Sequence, residues 1–208
     1  GLFTIVILSP LVLLARMAWA FGLTLLLASA SALPPTPTDA QLDLMDVGLA
    51  QFMHFSLEPF ATPHIEHNCV QKDQPCLPSS LFDPRNLSTE QWVETAVAFG
   101  AKEICLTAHH EGGFALWPTS NNLGYSVANS PYGKDVVKQF VASCKKHGVR
   151  ICYYIGPNAN GWLHNNNVSI DKFLSLQLAQ YKELLDNYGP ISRFWWDHYR
   201  GDCNGRLD

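Results

Sequence analysis

Residues 102–119 read KEICLTAHHEGGFALWPT. An apolar run ending at Ala108 opens without polar alternation into His109-His110-Glu111-Gly112-Gly113 and closes on a Trp-Pro turn. Apolar runs of this kind mark strands buried on both faces, as in parallel sheets. The stretches on either side repeat the theme. Upstream, STEQWVETAVAFG (88–100) has helical spacing, with Ser88 as a candidate cap, Gln91 placed as in a capping box, and Gly100 at its end. Downstream, GKDVVKQFVASCKKHG (133–148) places Val136, Val137, Phe140, Val141 and Cys144 on one helical face. Its Lys145-Lys146-His147 end suits the negative pole of the helix dipole.

The same alternation extends to both ends. AQFMHFS (50–56), RICYYIG (150–156) and ISRFWWD (191–197) read as further strands, and SIDKFLSLQLAQYKELLDNYG (169–189) as a long helix ended by Gly. Short turns lead from helix to strand, while long polar loops lead from strand to helix. That asymmetry predicts a parallel α/β fold whose site lies at the C-terminal edge of the strands. A doubly wound sheet and a (β/α)8 barrel share these signals. No Gly-rich phosphate fingerprint follows any strand, which argues against a nucleotide-binding sheet.

The chain has 208 residues, enough for one domain with a sizeable core, and a formal net charge of −4. Lys and Arg total 14 with no basic run, so nucleic acid is not an expected partner. Six Trp and an aromatic fraction of 12% suit a sugar site, where flat rings stack on pyranose faces, although composition alone fits a Trp-rich core equally well.

Residues 1–33 are almost wholly apolar apart from Arg16. Met17–Ala32 reads as a secretory signal peptide with an Ala30-Ser31-Ala32 end, and residues 1–16 as in-frame upstream sequence. A membrane anchor spanning 1–32 is the rival reading. Residues 34–44 form a linker into a short helix, and 45–208 form the catalytic part. Secretion, or a lysosome- or vacuole-like destination along the same route, gives meaning to two glycosylation sequons, at Asn86 and Asn167. It also favours a disulfide between Cys69 and Cys76, in one polar loop. Cys105, Cys144 and Cys152 sit in apolar runs and read as buried small hydrophobes.

Four strand ends deliver polar groups to one edge: His54; His109, His110 and Glu111; Tyr153 and Tyr154; Asp197 and His198. One of the adjacent tyrosines belongs to the core, because neighbouring strand residues face opposite ways. Asp197 follows Phe194-Trp195-Trp196, and a carboxylate ending so apolar a run needs a partner or a purpose. No metal-ligand spacing such as HExxH occurs, so neither a metal nor another cofactor is expected.

Four segments together resemble the alpha-L-fucosidases of glycoside hydrolase family 29. Phe52-Met53-His54-Phe55-Ser56 is similar to a family segment F-x-H-(F/W)-G. Leu106 to Trp117 is similar to L-T-x-K-H-H-(D/E)-G-F-x-L-W. Residues 133–150 resemble D-(I/V)-V-x-x-(F/L)-x-x-(A/S)-C-(R/K)-x-x-G-(I/L), and residues 177–197 resemble Q-L-x-E-L-L-x-x-Y-G-x-(I/L)-x-x-(I/V/L)-W-x-D. The likeness runs from about residue 45 to residue 200. It implies a TIM-like (β/α)8 barrel, of which the first four or so βα units are present. It also implies a retaining exo-glycosidase that releases terminal α-L-fucose from glycans and glycoproteins. Asp197 matches the nucleophile that forms a fucosyl-enzyme ester. His54, His109 and His110 match histidines that bind fucose hydroxyls; Trp117 shapes the pocket and Tyr154 lines it. Neutral imidazole supplies one donor and one acceptor, as a hydroxyl-rich ligand requires.

The resemblance has gaps. Aligned without a gap, His109 stands for the family's Lys, His110 for its first His and Glu111 for its second. With a one-residue gap, His109 and His110 match the His pair. The family's carboxylate-Trp pair after the first strand has only Glu66 to offer, with no Trp following. A full barrel takes about 250 residues, and retention needs a second carboxylate about 5 Å from the nucleophile. In the family that group comes from later in the chain. The expectation is therefore an N-terminal part of a longer enzyme, inactive alone. A non-catalytic fucose-binding or degenerate glycosidase-like protein, and a barrel glycosidase for another sugar, are the alternatives.

Overall fold

The computed structural model describes residues 35–65, 68–69, 74–156 and 160–197. The signal-peptide segment, Glu66, His198 and Cys203 lie outside the described residues. A short helix, α1 (Asp39–Met45), precedes the α/β unit, in which every expected strand and long helix forms. These elements are β1 (Ala50–Met53), α2 (Thr89–Ala98), β2 (Glu103–His109), α3 (Val136–His147), β3 (Arg150–Ile155), a short α4 (Gly161–Asn165), α5 (Ile170–Tyr188) and β4 (Arg193–Trp195). The strands pair in the order β1-β2-β3-β4, all parallel, giving one four-stranded sheet among the described residues. Among them, no helix is long and apolar enough to cross a membrane.

Caps set the helix limits. The Ser88 hydroxyl accepts the Gln91 N–H at the start of α2, Asp135 accepts the Lys138 N–H at the start of α3, and Ser169 accepts the Lys172 N–H at the start of α5. Gly148 ends α3 in the left-handed conformation, φ 66°, where a side chain would be strained. Gly189, after α5, is instead extended at φ −73°, because the residue before Pro190 is steered away from helical geometry.

The sheet has two distinct faces. Ile104, Leu106, Ala108, Ile151, Tyr153 and Ile155 join the main core with Val93 of α2, Phe140 and Cys144 of α3, and Leu184 and Tyr188 of α5. Phe140 is wholly buried, so truncating it to Ala would cost about 3–5 kcal/mol. The opposite face carries Phe52, Cys105, Cys152, Tyr154 and Trp195. The Phe52 and Trp195 rings lie 4.7 Å apart, centre to centre, although β2 and β3 separate their strands. A flat sheet would hold β1 and β4 about 14 Å apart. The sheet is therefore strongly curled, and concave on this face.

Cys105 and Cys152 correct the reading of them as free apolar residues: they are disulfide-bonded. They are register partners on β2 and β3, with Cα atoms 4.2 Å apart, and both face the concave side. Only the strand pairing reveals the contact. Cys69 and Cys76 are also bonded, while Cys144 is a buried free thiol whose pKa burial pushes up to about 12. At the N-terminal end of the sheet, buried Glu103 accepts from both Nε and Nη2 of Arg193, at 2.9 and 2.6 Å, and from the Ser192 hydroxyl. This forked pair ties β2 to β4 across β3, away from the edge that carries the polar cluster.

Candidate active site

The concave face ends in a polar cluster at the C-terminal ends of the strands. His54 follows β1, and its ring lies 4.4 Å from that of His110, just after β2. His110 lies 5.9 Å from the Tyr154 ring on β3. The Tyr154 hydroxyl donates to Asp197 Oδ2, beyond β4, at 3.2 Å. Four strand ends thus meet at one place, as the parallel architecture requires. Burial, then the charges of Asp197 and Glu111, push the Tyr154 phenol upward, so it remains a neutral donor to the carboxylate. Glu111 is itself buried, and its carbonyl accepts the Gly161 N–H.

Beside these polar groups lies an apolar floor. Phe52 stacks on His54 at 5.6 Å, meets Tyr154 at 5.6 Å and touches Trp195, while Tyr154 and Trp195 lie 6.5 Å apart. Phe52 and Trp195 are 39% and 40% exposed, so this aromatic face is open to a ligand. Neither residue stands out in the sequence. The available signal is spacing: each lies two positions before a polar strand-end residue, His54 or Asp197, and so shares its face.

The two adjacent histidines separate. A register shift between Thr107 and His109 interrupts the strand alternation. His110 consequently joins the cluster. His109 is fully buried, its Nδ1 bonding the His110 carbonyl at 3.0 Å and its ring stacking on Trp117 at 6.4 Å. Trp117 is buried as well, and its indole N–H donates to Glu183 Oε2 on α5 at 3.0 Å. Asn121 donates to the other Glu183 oxygen, at 2.6 Å. The structure therefore brings together His54, His110, Tyr154 and Asp197, whereas His109 and Trp117 form a packed layer between β2 and α5. Burial lowers the His109 pKa to about 4, keeping that ring neutral.

The loop after β1 contributes a group with no sequence signal. Glu58, in a 3-10 turn (Glu58–Phe60), is 4% exposed, and its Oε1 lies 3.3 Å from His110 Nδ1. The glycines after Glu111 have steric roles. A Cβ on Gly113 would meet Asn160 Oδ1 at 2.1 Å, and one on Gly112 would meet the Asn68 carbonyl at 2.7 Å. Asn160 in turn donates to Asn122, which donates to the Gly113 and Tyr125 carbonyls. The loops after β1, β2 and β3 are thereby woven together around the site.

Residues 53–205 match the family model for alpha-L-fucosidase. The chain belongs to the alpha-L-fucosidase family. It is 31% identical over 172 residues to alpha-L-fucosidase 1 of Arabidopsis thaliana, covering 81% of this chain and 32% of that protein. It is 29% identical over 119 residues to the human plasma alpha-L-fucosidase, covering 53% and 25% of the two chains. Among solved structures, it resembles a glycoside hydrolase 29 family member from an unknown rumen bacterium, with a TM-score of 0.69 and 31% identity, covering 80% of this chain and 29% of that one. The chain thus spans about a quarter to a third of the length of these relatives. Within that span lie all four strand ends of the cluster.

Proposed function

We propose that this chain is part of a retaining exo-α-L-fucosidase in which Asp197 is the nucleophile. The observation that carries the reading is the placement of Asp197 beside Tyr154, with the His54 and His110 rings on one side and the Phe52–Trp195 floor beneath. L-Fucose is a 6-deoxy sugar. It needs directional partners for its hydroxyls and an apolar surface for its methyl group. The two imidazoles and Glu111 supply the first, and the open aromatic pair supplies the second.

In the reaction, an Asp197 oxygen attacks the anomeric carbon as the glycosidic C–O bond breaks, giving a fucosyl-aspartyl ester. A second carboxyl protonates the departing oxygen; it comes from outside the described residues, from a later part of a longer protein. The same group then takes a proton from water, which attacks the anomeric carbon and releases Asp197. Tyr154 holds the Asp197 oxygen while its charge is lost and regained. His54, His110 and Glu111 bind hydroxyls, with His109 and Trp117 as the packed support behind them. No metal or organic cofactor is needed for these steps.

The remaining wall of the site is the second half of a (β/α)8 barrel. Two features support closure: the curl of the sheet, and apolar side chains along α5 and β4 that a further βα unit would cover. Entry to the secretory route accords with the exposed Asn86 and Asn167 of the two sequons. The substrates would then be fucosylated glycans or glycoproteins outside the cytosol.

Asp197→Asn in the full-length protein tests the reading. Loss of nearly all release of 4-nitrophenol from its α-L-fucoside, with affinity for fucose retained, is expected. A wild-type protein that binds fucose but turns over no fucoside would instead be a non-catalytic fucose binder. Turnover confined to glycosides bearing a C6 hydroxyl would reassign the sugar.

A further inference from the structure

Glu58 is a carboxylate enclosed by protein and set against a site histidine, yet nothing in the reaction above uses it. Its side chain is 5% exposed and that of His110 is 11% exposed, so water contributes little to either. Burial raises the Glu58 pKa, but hydrogen bonds from His110, Ser56 and its own backbone N–H outweigh burial and hold the carboxyl below its ordinary value. A buried ionised carboxylate is costly unless it is well bonded, and a neutral amide would fill the same space at lower cost. Its charge therefore calls for an explanation beyond packing.

The bonded atom supplies one. Glu58 meets Nδ1 of His110, and an ionised carboxylate can only accept. The proton of a neutral His110 is thus drawn to Nδ1, and Nε2 is left with its lone pair. The same ring lies between His54 and Tyr154. Orientation of an imidazole through its second nitrogen is a general device where the first nitrogen must face a ligand in one protonation form.

We propose that Glu58 is a positioning residue that fixes the Nδ1–H tautomer of His110, so that Nε2 accepts a hydrogen bond from a sugar hydroxyl. The sugar-binding part rests on the fucosidase reading, whereas the tautomer does not. Tyr154 is committed as a donor to Asp197, so an obligate acceptor nearby gives the site polarity: a hydroxyl that donates to His110 keeps its lone pairs for other groups. Sequence alone offered Glu66 as the carboxylate of this loop, and that residue lies outside the described residues; among the described residues of the loop, Glu58 is set against the histidine.

The test uses the full-length protein with 15N-labelled histidine. Over the pH range in which the wild-type His110 ring is neutral, its signals, identified by their loss in His110→Ala, should show a protonated Nδ1 and an unprotonated Nε2. In Glu58→Leu the two tautomers should mix. KM for the 4-nitrophenyl fucoside should rise about tenfold in Glu58→Leu, with a smaller change in kcat, as for loss of one oriented hydrogen bond. Glu58→Gln, which keeps an acceptor without charge, should fall between. The Glu58→Leu/His110→Ala double variant should be no worse than His110→Ala alone. A wild-type His110 protonated on Nε2 instead would overturn the proposal, even where Glu58→Leu does not fold. So would losses in the two single variants that multiply in the double. A folded wild type without fucoside turnover would sink the fucosidase reading and leave the nitrogen signals to decide Glu58.

Discussion

The Tyr154 hydroxyl reaches Asp197 Oδ2 at 3.2 Å, linking β3 to the residue two positions beyond the end of β4. Because burial and neighbouring carboxylates keep the phenol protonated, the bond is a donor fixed on the proposed nucleophile. Tyr154→Phe retains the ring against Phe52 and Trp195 and removes only that donor. In the full-length enzyme kcat should fall about 10- to 100-fold with little change in KM, since the bond acts as charge leaves and returns to Asp197. Steady-state kinetics on the 4-nitrophenyl fucoside would show it. A rise in KM alone would place Tyr154 in substrate binding instead.

Gly113 sits at φ 88°, with Asn160 directly above its missing side chain. Gly113→Ala adds a clash at 2.1 Å to backbone strain and disturbs the Asn160–Asn122 network. Gly124 is similarly left-handed, at φ 80°, but a Cβ there would find its nearest neighbour at 3.9 Å. Gly124→Ala should therefore cost about 1 kcal/mol and Gly113→Ala at least about 3 kcal/mol by chemical denaturation. Equal costs would mean that strain alone matters at both positions.

The four βα repeats were legible because parallel strands leave unbroken apolar runs and capped helices leave Gly and Ser at their ends. His54, Asp197 and the Tyr153-Tyr154 pair were legible because such strands present chemistry at one edge, and the family resemblance singled out Tyr154. Three features were not. His109 and His110 cannot be told apart without the register shift after Thr107 that turns one inward and the other towards α5. The Cys105–Cys152 bond depends on which residues the pairing sets side by side. Glu58 lies in an aperiodic loop, and only the turn after β1 carries it to His110. Phe52 and Trp195 are intermediate: their spacing was visible, but on a both-sides-buried strand an aromatic reads as core.

Acid should weaken the fold through His109. Its pKa is about 4 when folded, against 6.5 for the free side chain. The unfolded chain therefore binds more protons between these values, and the contribution of a neutral His109 is complete above about pH 6.5. It is lost as pH falls from there towards 4, by roughly 3 kcal/mol in all. Glu58, with a lowered carboxyl pKa, would add its own loss only below its ordinary value of 4.5. Denaturation at pH 7, 6 and 5 should show the decline, and His109→Gln should flatten it. An unchanged slope in that variant would assign the acid sensitivity elsewhere.

The two disulfides among the described residues close loops of different length. Cys105 and Cys152 are 47 residues apart, and Cys69 and Cys76 only 7. Loop-closure entropy ranks them at about 4 and about 2 kcal/mol. Replacing both cysteines of the longer pair with Ala should therefore cost more than replacing both of the shorter. The reverse order would indicate that packing at the woven loops, where Cys69 lies, outweighs chain entropy.

On α5, Ile170, Leu174, Leu178, Tyr181 and Leu185 fall within an arc of about 80°. Leu178 is 70% exposed, and Tyr181 continues the stripe to Trp196 at 6.3 Å. If the sheet closes as a barrel, a further βα unit covers this stripe and the outer edge of β4. Leu178→Asp should then lower the stability of the full-length protein by at least about 2 kcal/mol, because a buried carboxylate would replace a packed side chain. In the 208-residue chain alone the same change should leave stability within about 0.5 kcal/mol and reduce aggregation, since it breaks an exposed apolar patch. Denaturation of both forms, with light scattering on the shorter, separates the cases. A neutral effect in the full-length protein would mean that the stripe stays in water and that the barrel does not close over α5.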